Sequence, residues 1–221
     1  MFDLHSRTIA VLGVVFLASS LYAGDLSKYR EFELDSDLPG VARQAKMTPA
    51  EATVIHQRPA EIQELSWRGE PADSVRSIVF SFFDGTLFRM AVEYDRYNTD
   101  GLTAQDMIDA ISTTYGTAVD PIAEITTPSI HGGDELVKVI ARWEDSEWSF
   151  NLVRFKYESS FSLIAFSKRL HAEARTAIDE ATRLDRLEAP QRATERRHRE
   201  DEEKRLEQEK ARLANRPDFR P

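Results

Sequence analysis

Apolar and polar positions alternate along most of the chain between residues 29 and 167, and switch to helical spacing at two places within that stretch. Tyr29 to Leu34 alternates like a strand. Ser36 or Asp37 can then cap a short helix with Pro39 in its first turn, running to about Ala45. Ala52 to Gln57 is a β-branched run stopped by Arg58-Pro59, and Ile62 to Trp67 alternates as a second strand. Val75 to Asp95 is the clearest element. Ile78, Phe80 and Phe82 share a face, Asp84-Gly85 is a two-residue hairpin turn because both positions favour positive φ, and the return strand carries Phe88, Met90, Val92 and Tyr94 on one face. One apolar face and one mixed face describe an antiparallel sheet covered on one side.

The same order then recurs. Thr103 caps a helix from about Ala104 to Tyr115, with Met107, Ile108 and Ile111 at helical spacing and Gly116 at its end. A loop is expected through Pro121, Pro128 and Gly132-Gly133. Leu136–Trp143, Trp148–Tyr157 and Phe161–Ser167 follow as three alternating strands, with Trp143 and Trp148 expected to stack across their hairpin. The fold class is therefore α+β: two tandem repeats of a helix packed on an antiparallel sheet, residues 24–100 and 101–170, followed by a long charged C-terminal helix in residues 171–221.

Leu34–Ala45 leading to Val75–Asp95, and Gly101–Gly116 leading to Leu136–Ser167, resemble the helix-plus-antiparallel-sheet module of β-lactamase inhibitor proteins and of the small lipoprotein of the outer-membrane assembly machine. The likeness is one of architecture, covers roughly 135 residues of the chain and has no diagnostic motif; the usual glycine at the helix start is replaced by Asp35-Ser36. Val54 to Trp67 also resembles uncharacterised exported bacterial proteins. The resemblance implies protein binding through a concave sheet face and no catalysis.

The first 23 residues change the picture of location. Arg7 stands in a short polar start, an apolar run extends from Ile9 to Leu21, and Ala23 precedes Gly24. This is the pattern of a secretory signal peptide, residues 1–23, cleaved before Gly24. The run is short against the roughly 20 residues of a membrane span. An uncleaved N-terminal membrane anchor and an ordinary core helix are the alternatives. The chain has no cysteine, which removes disulfides, thiolate metal sites and a lipid-carrying cysteine.

The net charge of −9 falls on residues 24–170, because residues 171–221 hold 13 basic and 13 acidic side chains and Asp3 cancels Arg7. An acidic core argues against nucleic acid and anionic lipid as partners. In the tail, Ala174, Ile178, Ala181, Leu184 and Leu187 form a stripe before Pro190, which is expected to interrupt the helix. Beyond it, Gln191 to Ala214 has almost no apolar stripe and leans on pairs such as Glu195–Arg199, Glu200–Lys204 and Asp201–Arg205. A solvated charged helix is the plainest reading; a weak dimeric coiled coil through the C-terminal helix, or a reaching arm, are the others.

Candidate chemistry is sparse. The chain has no glycine-rich phosphate loop, Gly-x-Ser-x-Gly elbow or His-Glu-x-x-His motif. His56 beside Arg58, Glu61 and Glu64 could support general acid–base work, although a surface network at a strand turn is the commoner origin of such a cluster. His131 with Asp134 and Glu135 is a weak metal pattern, Asp95 to Gly101 falls short of a calcium loop, and His171 and His198 are expected to be solvated. The candidate partner-binding residues are His56, Arg58, Glu61, Trp67 and Arg68; no catalytic, cofactor or metal residue is assigned. The function expected is an exported, non-catalytic protein-binding or scaffold module of the bacterial envelope, periplasmic or extracellular, whose partner is another envelope protein. A small hydrolase or transferase using His56, and a membrane-tethered spacer, are the rivals.

Overall fold

Asp84 and Gly85 adopt φ of 47° and 78°, so the two-residue turn anticipated between two apolar runs forms and fixes the central hairpin. A computed structural model describes residues 24–71, 73–119, 124–128, 134–154 and 160–216. The hairpin pairs β5 (Val75–Phe83) with β6 (Thr86–Tyr94). Before it come a two-stranded hairpin of β1 (Lys28–Tyr29) and β2 (Phe32–Glu33), helix α1 (Leu38–Gln44), β3 (Thr53–His56) and β4 (Ile62–Arg68). After it come α2 (Ala104–Tyr115), β7 (Glu124–Pro128), β8 (Asp134–Glu144), β9 (Trp148–Arg154), β10 (Phe161–Ser167) and α3 (Lys168–Asn215). Eight strands form one antiparallel sheet in the order β3-β4-β5-β6-β10-β9-β8-β7. The architecture is α+β, a large antiparallel sheet with a long C-terminal helix.

Both helices inside the strand region cap as their sequences suggest. The Asp37 carboxylate accepts the Gly40 N–H at 2.9 Å to start α1. Thr103 and Asp106 form a reciprocal capping box on α2, which Gly116 ends with φ 85°. Leu38, Val41 and Ala42 of α1, and Met107 and Ile111 of α2, pack into one core with Leu65, Phe80, Phe82, Met90, Phe150, Leu152 and Leu163. The indole N–H of Trp143 donates to Ser112 Oγ at 3.2 Å and to the Gly116 carbonyl at 3.0 Å, joining the end of α2 to β8.

The opposite face of the sheet is covered as well. Leu170 and Ala174 of α3 pack against Ile62 and Phe88, so helices lie on both faces rather than one. Phe88 reaches this second face because of a β-bulge: Ser81 pairs with Arg89 and Phe82 with Leu87, leaving Phe88 unpaired between them. The extra residue breaks the expected alternation, placing Leu87 in the first core with Met90 and Phe88 in the second.

Other departures are local. Arg30 has φ 55°, which turns the chain sharply, so Tyr29–Leu34 is a tight hairpin rather than one strand. An edge strand, β7, lies where the sequence suggests only loop. Trp143 stands opposite Phe150 rather than Trp148. Pro190 does not end the tail helix: α3 continues through it, and Arg192 reaches back to donate to the Asp185 carbonyl and carboxylate at 2.9 Å each. Among the described residues no helix is long and apolar enough to cross a membrane, and the run Ile9–Leu21 lies outside them.

A Cβ added at Gly85 would meet nothing within 4 Å. Gly85→Ala therefore tests backbone strain alone and should lower stability by about 1 kcal/mol, read by chemical denaturation; an unchanged midpoint would contradict the turn geometry.

Candidate functional site

Where the chain passes from Gly24 into β1, it runs beside the C-terminal turn of α2. A Cβ at Gly24 would collide with the Thr114 carbonyl and the Tyr115 Cα, so only glycine allows this approach. Residues 24–30, α2 and the loop after β6 enclose a cleft of about 760 Å³. Its walls are apolar at Leu102, Met107 and Ile111 and aromatic at Tyr29, Tyr94 and Tyr115. The Arg30 guanidinium stands 5.9 Å from the Tyr29 ring centre and grips Asp73 through two hydrogen bonds of 2.7 Å. That pair ties the β1–β2 turn to the loop before β5. Asn98 reinforces it by donating to the Asp73 carbonyl at 2.9 Å.

The cleft's ionisable groups hold fixed protonation states near neutral pH. Burial raises the Tyr29 and Tyr94 phenols, which are hydrogen-bonded to each other, and pushes Tyr115 up to about 12. Arg30 holds Asp73 down to about 2. Hydrogen bonds from Ser27 and Lys28 hold Asp25 to about 2, and Asp25 in turn raises Lys28. Three neutral phenols offer hydrogen bonds beside apolar walls, and the flanking charges of Asp25, Lys28, Arg30 and Asp73 balance.

A second polar cluster lies beneath α3. Arg89 is only 5% exposed. It donates to Ser81 Oγ at 3.3 Å and stands 3.5 Å from the Glu64 carboxylate. His171, expected to be solvated, instead stacks on Phe166 with ring centres 4.5 Å apart, and its buried Nδ1 has no hydrogen-bond partner among the described residues. Burial, with Arg89 and Arg175 nearby, lowers its pKa to about 4. It sits one turn before Ala174 on the docked face of α3, a position that the apolar stripe of the tail predicts only if extended backward.

The five candidate partner-binding residues do not form one patch. Arg58 pairs with Glu188 of α3, and His56 is half-buried at the same end of β3, where it and Arg58 face Asp185. Glu61 is exposed; its backbone N–H donates to Asp84 at 2.8 Å. Trp67 packs toward the first core near Phe32, with ring centres 6.2 Å apart, while Arg68 is exposed at the far end of β4. The acids near His56 and Arg58 thus come from α3 rather than from the second half of the sheet. Asp95 forms a turn, accepting the N–H groups of Tyr97 and Asn98 at 2.9 and 3.1 Å. His131 lies outside the described residues, and among those described no group of three or more metal-ligating side chains gathers.

The tyrosine cleft was not visible in sequence because its residues come from four separate segments. The isolated tyrosines carry no spacing signal. Comparison with family models, curated proteins and solved structures finds no match to this chain. The resemblance to the inhibitor module therefore rests on element order alone.

The His171 shift gives a pH dependence. Below its ordinary pKa of 6.5 the unfolded chain takes up a proton that the folded one resists until about 4. Its contribution to stability is complete above 6.5 and falls as pH drops through that window. His171→Leu should flatten this limb in denaturation midpoints measured across the window; an unchanged slope would contradict the buried neutral imidazole.

Proposed function

We propose that this chain is an exported, non-catalytic protein-binding module of the bacterial envelope, and that it takes an apolar or aromatic side chain of its partner into the tyrosine cleft. The carrying observation is the chemistry of that cleft: apolar walls, two buried phenols and a half-buried third, and charges already paired. Neutral phenols and a balanced rim favour an uncharged insert that can hydrogen-bond at its tip. Export is supported by Arg7, the Ile9–Leu21 run and Ala23 before Gly24.

The module is read as a duplication. α1 leads into the meander β3–β6 and α2 into the meander β7–β10, and the two meanders meet where β6 pairs with β10. The strand order reads alike from either edge, as two copies related by a local twofold axis would give.

The test combines intact mass and fractionation of the exported protein with photo-crosslinking from Ala110, an exposed residue of the cleft wall. The expected result is a soluble chain beginning at Gly24 that crosslinks an envelope protein. Leu102→Trp, at an exposed position of the cleft wall, should fill the cleft and abolish that crosslink while circular dichroism stays unchanged. Full-length protein in the membrane fraction would overturn the soluble reading. A crosslink indifferent to the filled cleft would overturn the binding site.

A further inference from the structure

Beyond Glu188, α3 leaves the sheet. At 1.5 Å per residue its outer part projects by roughly 40 Å, and residues 194–216 are all exposed. Such a length of helix with no apolar stripe would ordinarily be read as a solvated spacer. Its charges, however, are ordered about a point. Counting outward from the bond between Arg199 and Glu200, the residues at equal distance are Arg199 and Glu200, His198 and Asp201, Arg197 and Glu202, Arg196 and Glu203, Glu195 and Lys204, and Arg192 and Glu207. At each of these distances an acidic residue answers a basic one or a histidine; the two intervening distances hold Thr194 with Arg205 and Ala193 with Leu206.

We infer that the outer half of α3 pairs antiparallel with the same segment of a second copy of this chain. A twofold axis through that midpoint sets each residue opposite its counterpart at equal distance. The facing stripe follows from helical spacing: Arg192, Arg196, Glu203 and Glu207 stand four, seven and four residues apart, on one side of a 3.6-residue helix. Antiparallel pairing sets Arg192 against the second copy's Glu207 and Arg196 against its Glu203, and twofold symmetry doubles both contacts. Parallel pairing would set arginine against arginine and glutamate against glutamate, so the pattern selects one orientation.

Arg192 already bonds Asp185 at 2.9 Å through one guanidinium nitrogen, which leaves its other N–H groups for the second copy's Glu207. Arg196 reaches Glu200 only at 3.8 Å, and among the described residues Glu203 and Glu207 carry no ion pair. Leu206, 47% exposed, borders the stripe and gains cover from the second helix. Exposed ion pairs are individually weak and screened by salt, so the dimer is reversible and favoured at low ionic strength. The pairing is independent of the cleft and joins two modules back to back through their tails.

Sedimentation equilibrium of the purified protein tests this. The expected result is a concentration-dependent dimer at low salt that dissociates at high salt. Arg192→Glu with Arg196→Glu makes the stripe wholly acidic and should leave only monomer. Glu203→Arg with Glu207→Arg makes it wholly basic, with the same result. Mixing these two variants should restore the dimer, a rescue that a defect in folding would not produce. A protein monomeric at every concentration at low salt, or a dimer that survives both charge reversals, would overturn the inference.

Discussion

The pairing of β6 with β10, from Ser162 opposite Glu93 to Phe166 opposite Arg89, is the contact on which the rest of the molecule depends. It joins two strands far apart in sequence and turns two four-stranded meanders into one sheet. Met90, Val92, Leu163 and Ala165 on one side of that seam are buried in the core that α1 and α2 cover. Phe88 and Ile164 lie on the other side. Because β10 runs directly into α3, the seam also decides where the long helix starts and that it crosses toward β4 and β3. Closing so long a loop costs chain entropy, which the apolar contacts across the seam offset.

The second face shows why the docked part of α3 is rich in alanine. Beneath it, on β4 to β6, the sheet carries Glu64, Ser81 and Arg89 beside Ile62 and Phe88. A buried guanidinium is tolerated only with partners, and Arg89 has Ser81 and Glu64. Arg142 donates to Asn151 at 2.8 Å, and Asn151 in turn donates to Ser149 at 3.0 Å. Ala174, Ala177 and Ala181 are buried along the inward stripe of α3 and let the helix come close to the sheet. The tyrosine cleft arises from the opposite choice on the first face. There, short segments meet at the end of α2 and leave a space walled by rings.

Much of this was legible locally. The Asp84-Gly85 turn, the caps Asp37 and Thr103, the end of α2 at Gly116 and the strands β4, β5, β9 and β10 all follow from residue type and period, because turn dihedrals, caps and alternation are set by near neighbours. The bulge at Phe88 was not, since one unpaired residue changes the facing of a strand without leaving a mark in its composition. The burial of His171 was hidden in the same way: a histidine among charges reads as solvated until a sheet is placed against it. Of the five residues singled out from sequence, His56 and Arg58 meet α3 and the other three part to different ends and faces of β4.

The sequence by itself determined α1, α2 and the strands β4, β5, β9 and β10, together with the spacing of charges in the outer tail, because these depend on spacing along one chain. Tertiary structure alone decided that the two meanders share one sheet and that the first part of α3 lies across its second face. It alone brought Tyr29, Tyr94 and Tyr115 to one cleft. Those outcomes rest on contacts between residues remote in sequence, whose energies depend on which apolar surfaces meet and which buried polar groups find partners. Period and propensity carry no record of either.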